Sequence, residues 1–143
     1  MSRMKIAPKA WRAATDALLY YLDNKREYEE AVEEAMASDP ERRGSTRDVH
    51  PDPTAAAAIR LSSNRRVAQL TREIEAVEEA VSSLRPEEKV VIRKRFWEWD
   101  KAVRVARKPR RYEDMLDAGY EITQQRRIVQ KVVYAVARNL GAI

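Results

Sequence analysis

At 143 residues, with 44% hydrophobic and 36% charged side chains and a net charge of +5, the chain can bury one modest core, or a small domain plus an extended helical element, but no third domain. Three glycines, one phenylalanine and abundant Ala, Glu, Arg and Val argue against a sheet with tight hairpins and for an all-α protein. The lack of cysteine and the single histidine, His50, exclude disulfides and thiolate metal sites and argue against histidine-bound zinc, so no metal or cofactor is expected.

The amino terminus, Met1 to Ile6, is polar and no apolar run follows it. Neither a secretory signal nor a membrane-spanning helix is expected, and a soluble, cytoplasmic protein is. From about Ala10 to Met36, Trp11, Thr15, Leu18, Leu22, Val32 and Met36 recur at helical steps or their multiples, which predicts one long helix. Beyond Asp23 its other face carries Glu27, Glu29, Glu30, Glu33 and Glu34, a charge run expected to be solvated. Asp39-Pro40, Gly44, Pro51 and Pro53 then break the pattern over Ser38 to Pro53, a loop made locally basic by Arg42, Arg43 and Arg47 and holding His50 as an exposed residue.

A second helix is predicted from Pro53 or Thr54 to Leu84, capped by Asp52. Val67, Leu70, Ile74, Val77, Val81 and Leu84 alternate three- and four-residue spacings, the mark of a narrow coiled-coil-like seam. Either the first helix folds back over that seam as a helical hairpin, or a second copy of the chain covers it in a homodimer.

Pro86 restarts the chain. The third helix, Pro86 to about Trp99, sets Val90, Val91, Phe96 and Trp97 among Lys89, Arg93, Lys94 and Arg95; Trp97 is expected to point inward, and Trp99 is open. Lys101, Arg104, Arg107, Lys108, Arg110 and Arg111 follow with no acidic residue between them, as a solvated linker or an arm that touches phosphates. Tyr112 to Ala118 reads as a short helix, Gly119 as a turn and Thr123 as the cap of a last helix that stops near Leu140 at Gly141.

Charge is unevenly shared. Residues 85–143 hold 15 Lys+Arg against 8 Asp+Glu, net +7, whereas residues 1–84 hold 13 against 15, net −2. The chain is therefore divided into an N-terminal long-helix pair, residues 1–84, serving interaction or dimerisation, and a helix-turn-helix DNA-binding domain, residues 85–143. In the last helix Val129, Val133, Val136 and Leu140, flanked by Ile128 and Val132, form an inward stripe. The opposite face offers Gln124, Gln125, Arg126, Arg127, Gln130, Lys131 and Tyr134. Glutamine pairs bidentately with adenine, and arginine with guanine, in a major groove that admits a helix. These residues are the candidate base readers; Arg104, Arg107, Lys108, Arg110, Arg111 and Thr123 are the candidate phosphate contacts. Catalysis is not expected, because neither Glu113 with Asp114 nor His50 with Asp48 and Asp52 completes a nucleophile, base and oxyanion arrangement.

The run Leu84-Arg85-Pro86-Glu87-Glu88-Lys89 through Arg95-Phe96-Trp97-Glu98, then Tyr112-Glu113-Asp114 to Gly119-Tyr120, then Thr123 to Leu140-Gly141, resembles region 4 of bacterial sigma factors. With Leu18-Leu19-Tyr20-Tyr21-Leu22 and Asp52-Pro53-Thr54 to Ala58-Ile59-Arg60-Leu61, nearly the whole chain is similar to the RinA-type phage transcriptional activators, near the ArpU-type late regulators. The resemblance implies a sequence-specific activator of phage late genes, packaging and structural, with double-stranded DNA and the RNA polymerase of the bacterial host as partners, acting in the host cytoplasm. Thr123 would match the capping Ser/Thr of the recognition helix, and Gln124 to Lys131 its base-facing turns. The basic Asp100 to Arg111 segment is longer than the usual link, and Arg126 stands where small hydroxyl residues are common. A small terminase-like packaging subunit, which also combines DNA-binding and coiled-coil elements, is the alternative.

Overall fold

Ala10, Ala14 and Ala17 sit on one side of the first helix with Leu18, and so small a stripe lets a neighbouring helix approach closely. The computed structural model describes residues 6–37, 53–98 and 108–143, and among these every regular element is helical. In chain order they are α1 (Pro8–Leu19), α2 (Tyr21–Ala37), α3 (Pro53–Ser82), α4 (Pro86–Ile92) continuing into a π-helical turn (Arg93–Trp97), a 3-10 helix (Tyr112–Ala118) and α5 (Ile122–Asn139). The all-α expectation holds.

The single long helix expected from Ala10 to Met36 is instead two helices, α1 and α2, bent at Tyr20 (φ −96°, ψ 7°). Helical bonding survives the bend: Tyr20 N–H donates to Asp16 O at 2.9 Å and Asn24 N–H to Tyr20 O at 2.7 Å. The packing partner changes there. α1 lies on α5, whereas α2 lies along α3. Near the bend the Trp97 indole donates to the Leu18 carbonyl at 2.9 Å, and the Trp97 ring meets Tyr21 at 4.9 Å between centroids, so Trp97 points inward as expected. The buried stripe of α1 is its alanines with Leu18 and Leu19, while Trp11 and Leu22 are 38% and 44% exposed. Of the large residues that mark the expected core face, Leu18 is buried, whereas Trp11 and Leu22 point largely outward.

α2 runs antiparallel to α3, as the cross-links between them show. The Tyr21 hydroxyl donates to Glu78 at 2.7 Å, the Asn24 amide to Glu73 at 3.1 Å, and the Arg66 guanidinium to both oxygens of Glu27 at 2.8 and 2.7 Å. Burial, with the Glu78 carboxylate as acceptor and neighbour, pushes the Tyr21 phenol above its ordinary range. Glu27, expected in a solvated face, is thus tied to α3; Glu29, Glu30 and Glu33 are exposed.

The α3 seam is closed within one chain. Leu70, Ile74, Val77 and Leu84 are buried, Val67 and Val81 half-buried, and Ala76 and Ala80 are buried beside them, with α2 and α5 both packed on α3. Intramolecular packing thus already takes the surface of Val67, Leu70, Ile74, Val77, Val81 and Leu84, the candidate seam for a homodimer. Arg72 donates to the Leu140 carbonyl and Asn139 to the Ala76 carbonyl at 3.0 Å, fixing the end of α5 to α3.

Pro86 opens α4 behind an extended Arg85 (φ −69°, ψ 155°). The π turn, marked by Glu98 N–H to Arg93 O at 2.7 Å, carries Phe96 into the core. One hydrophobic cluster joins Leu18 of α1, Val77 of α3, Val91 and Phe96, Met115 of the 3-10 helix, and Val129, Val133 and Val136 of α5. Core packing thus crosses Arg85, the boundary between the two units read from the sequence. Gly119 ends the 3-10 helix at φ 88°, ψ 3°, the left-handed region that a side chain disfavours. A Cβ there would meet nothing within 4 Å, so Gly119→Ala should cost only the backbone term, about 1–2 kcal/mol, read as a lower urea midpoint.

Candidate nucleic-acid interface

α5 carries the whole edge. Its N-cap is Glu121 (φ −67°, ψ 157°), with Glu121 N–H donating to the Gln124 side-chain oxygen at 3.2 Å. The cap expected at Thr123 lies two residues too late; Thr123 is instead the second residue of the helix and is exposed. Gln125, three and four residues before Ile128 and Val129, shares the inward face with them and with Val132.

Gln125 is 0% exposed, and its Nε2 donates to the carbonyls of Met115 at 2.8 Å and Tyr120 at 2.9 Å. It ties the 3-10 helix and the glycine turn to α5 and cannot reach a base, which corrects its place among the readers. The rest of the edge is at the surface. Gln124, Arg126, Arg127, Gln130 and Lys131 are exposed and Tyr134 is half-buried.

Two of these are already engaged. Gln124 accepts the capping bond, and Lys131 Nζ reaches Glu88 Oε2 at 2.8 Å. Glu88 is 6% exposed, and its other oxygen accepts the Arg85 backbone N–H at 3.1 Å. The hydrogen bond from Lys131 holds the Glu88 carboxyl below the usual carboxylate range, against the opposing push of burial, with help from Arg85. A carboxyl held low in the folded state stabilises the protein above its unfolded pKa, and that contribution fades as pH falls through the folded value. Lys131→Met strands the carboxylate and should cost about 1–3 kcal/mol at pH 7. The deficit should shrink toward pH 3, as urea unfolding at the two pH values would register.

No ion pair holds Arg126 or Arg127 among the described residues. Of the expected phosphate contacts, Lys108 is exposed, Arg110 half-buried, and Arg111 exposed but paired with Asp114 at 3.3 Å and Glu113 at 3.7 Å; Arg104 and Arg107 lie outside the described residues, as do Trp99 and His50.

Sequence reasoning missed Arg95 and Tyr112. The Arg95 guanidinium lies 3.9 Å from the centroid of the Tyr112 ring, and that of Arg126 lies 5.5 Å from the same ring. Arg95 Nη1 also donates to the Arg110 carbonyl at 2.5 Å, and Arg110 N–H donates back to Arg95 O at 2.8 Å. Burial pushes Arg95 down and Arg126 adds to that, while Tyr112 and Glu113 oppose it. The Tyr112 phenol is pushed up by burial, against Arg95 and Arg126. Neither residue had a periodic signal: the meeting of π turn, 3-10 helix and α5 is tertiary. Among the described residues no group of three or more His, Cys, Asp or Glu side chains could hold a metal, and no helix is long and apolar enough to cross a membrane.

In comparisons with known proteins, no family model, no curated protein and no solved structure matches this chain.

Proposed function

We propose that the protein is a sequence-specific DNA-binding regulator that lays the exposed edge of α5 in the major groove, with the 3-10 helix, Gly119 and α5 acting as a sigma region 4-like helix-turn-helix. The observation that carries this reading is the pair Arg126 and Arg127, exposed beside Gln124 and Gln130 without a carboxylate partner among the described residues, in a segment of net charge +7 from 15 Lys+Arg and 8 Asp+Glu. Guanidinium and amide groups at one helix edge supply the donors and acceptors that base edges discriminate. Lys108 and Arg110 would lie against phosphates.

The resemblance to RinA-type activators narrows the role to switching on phage late genes together with bacterial RNA polymerase in the host cytoplasm. Selection of bound duplexes from a random pool, followed by footprinting and transcription with bacterial polymerase, tests it. Enrichment of one sequence and a rise in transcripts from a promoter bearing it are expected. A pool that stays random, with the protein assembled as a many-membered ring, would favour the packaging subunit instead.

A further inference from the structure

Arg126 differs from Arg127 in what surrounds it. It shares the Tyr112 ring with Arg95, at centroid distances of 5.5 and 3.9 Å. Ring faces attract cations, so Tyr112 draws together two guanidinium groups that repel one another. Arg95 is anchored from below, its Nη1 on the Arg110 carbonyl and its own carbonyl accepting the Arg110 N–H. Arg126 is the exposed partner. It stands in the first turns of α5, the helix end whose positive dipole favours an anion.

We infer that Arg126, steered by Tyr112 and flanked by Arg95, seats a DNA backbone phosphate, and that Arg127 and Gln130 read the bases. The inference rests on the DNA-binding reading and divides its residues. A guanidinium fork matches phosphate oxygens bidentately, and an anion on the exposed Arg126 offsets the repulsion between two guanidinium groups held at one ring. A reader must extend into the groove, whereas a side chain drawn to Tyr112 stays beside the protein body. Arg127, next in sequence, points about 100° further round the helix, and no ring holds it among the described residues. Tyr112 is a positioning residue here, acting through Arg126.

The test uses the full chain with two duplexes, one selected from the random pool and one unrelated, each titrated across salt. Arg126→Ala should weaken both by the same factor, about tenfold, and reduce the slope of log affinity against log salt by ~0.9, as one lost phosphate contact does. Arg127→Ala should weaken only the selected duplex. Tyr112→Leu should reproduce Arg126→Ala, and Tyr112→Phe, which keeps the ring, should not; circular dichroism confirms that each variant is folded. Should Arg126→Ala spare the unrelated duplex and leave the slope unchanged, the phosphate seat is overturned while the DNA-binding reading stands. If the wild-type chain binds neither duplex at low salt, both fall together.

Discussion

Produced without the first 84 residues, the segment 85–143 is expected not to fold. α5 buries Ile128, Val129, Val132, Val133, Val136 and Ala137, and it packs on α1 and α3 as well as on α4 and the 3-10 helix. Removing α1 and α3 takes away Leu18, Leu19, Val77 and Leu84 from the same cluster, along with the Leu18 and Ala76 carbonyls that Trp97 and Asn139 bond. Burying one leucine or valine contributes about 1.5–3 kcal/mol, and a whole fold is stable by only about 5–15 kcal/mol. A few such losses are enough to unfold the remainder. The fragment should show a broad, non-cooperative thermal transition and collapsed amide proton shifts, whereas the full chain melts sharply. A cooperative melt of the fragment near that of the full chain would establish residues 85–143 as an independent domain.

Gln125→Glu is the second large effect. In the wild type the Gln125 amide nitrogen supplies both bonds to Met115 O and Tyr120 O. A carboxylate offers only acceptors to two carbonyls, in a place with 0% exposure. A buried charge facing like dipoles costs several kcal/mol, so a loss of ~3 kcal/mol or more is expected at pH 7. Such a carboxyl has its folded-state pKa raised above the unfolded value. Its penalty is therefore small below the unfolded pKa and grows as pH rises through the folded one. The gap in urea midpoint between variant and wild type should be narrower at pH 4 than at pH 7. Gln125→Leu, which strands both carbonyls without adding charge, should cost about 1–3 kcal/mol with no such trend. Were Gln125 at the surface reading bases, both variants would unfold like the wild type and differ only in which duplex they prefer.

Local signals in the sequence were reliable where one residue type has one backbone consequence. Pro53 and Pro86 begin helices and Gly119 takes a left-handed turn. The valine stripe of the last helix is buried, Val129, Val133 and Val136 all at 2% exposure or less, because six apolar residues at helical spacing leave little choice of face. Three features were not legible, each for a physical reason. The bend at Tyr20 preserves helical hydrogen bonds and follows from a change of packing partner, which periodicity does not encode. The core face of α1 joins Leu18 and Leu19 to Ala10, Ala14 and Ala17, whose weak hydropathy leaves the exposed Trp11 as the more conspicuous marker. The inward place of Gln125, by contrast, is legible: three residues before Ile128 and four before Val129, it continues the buried stripe of α5 whichever residue caps the helix. The Arg95–Tyr112–Arg126 arrangement joins residues far apart in sequence, and only packing brings them together.

The claim on which the rest depends is that the exposed edge of α5 faces duplex DNA. Fluorescence anisotropy of a labelled duplex, titrated with the full-length protein over a series of salt concentrations, tests it most directly. The account predicts saturable binding at low salt, with log affinity falling linearly against log salt at a slope of several units, about 0.9 per phosphate contacted, and a steep loss in Arg126→Ala/Arg127→Ala. No binding at the lowest salt, or binding that the double variant retains in full, would contradict it.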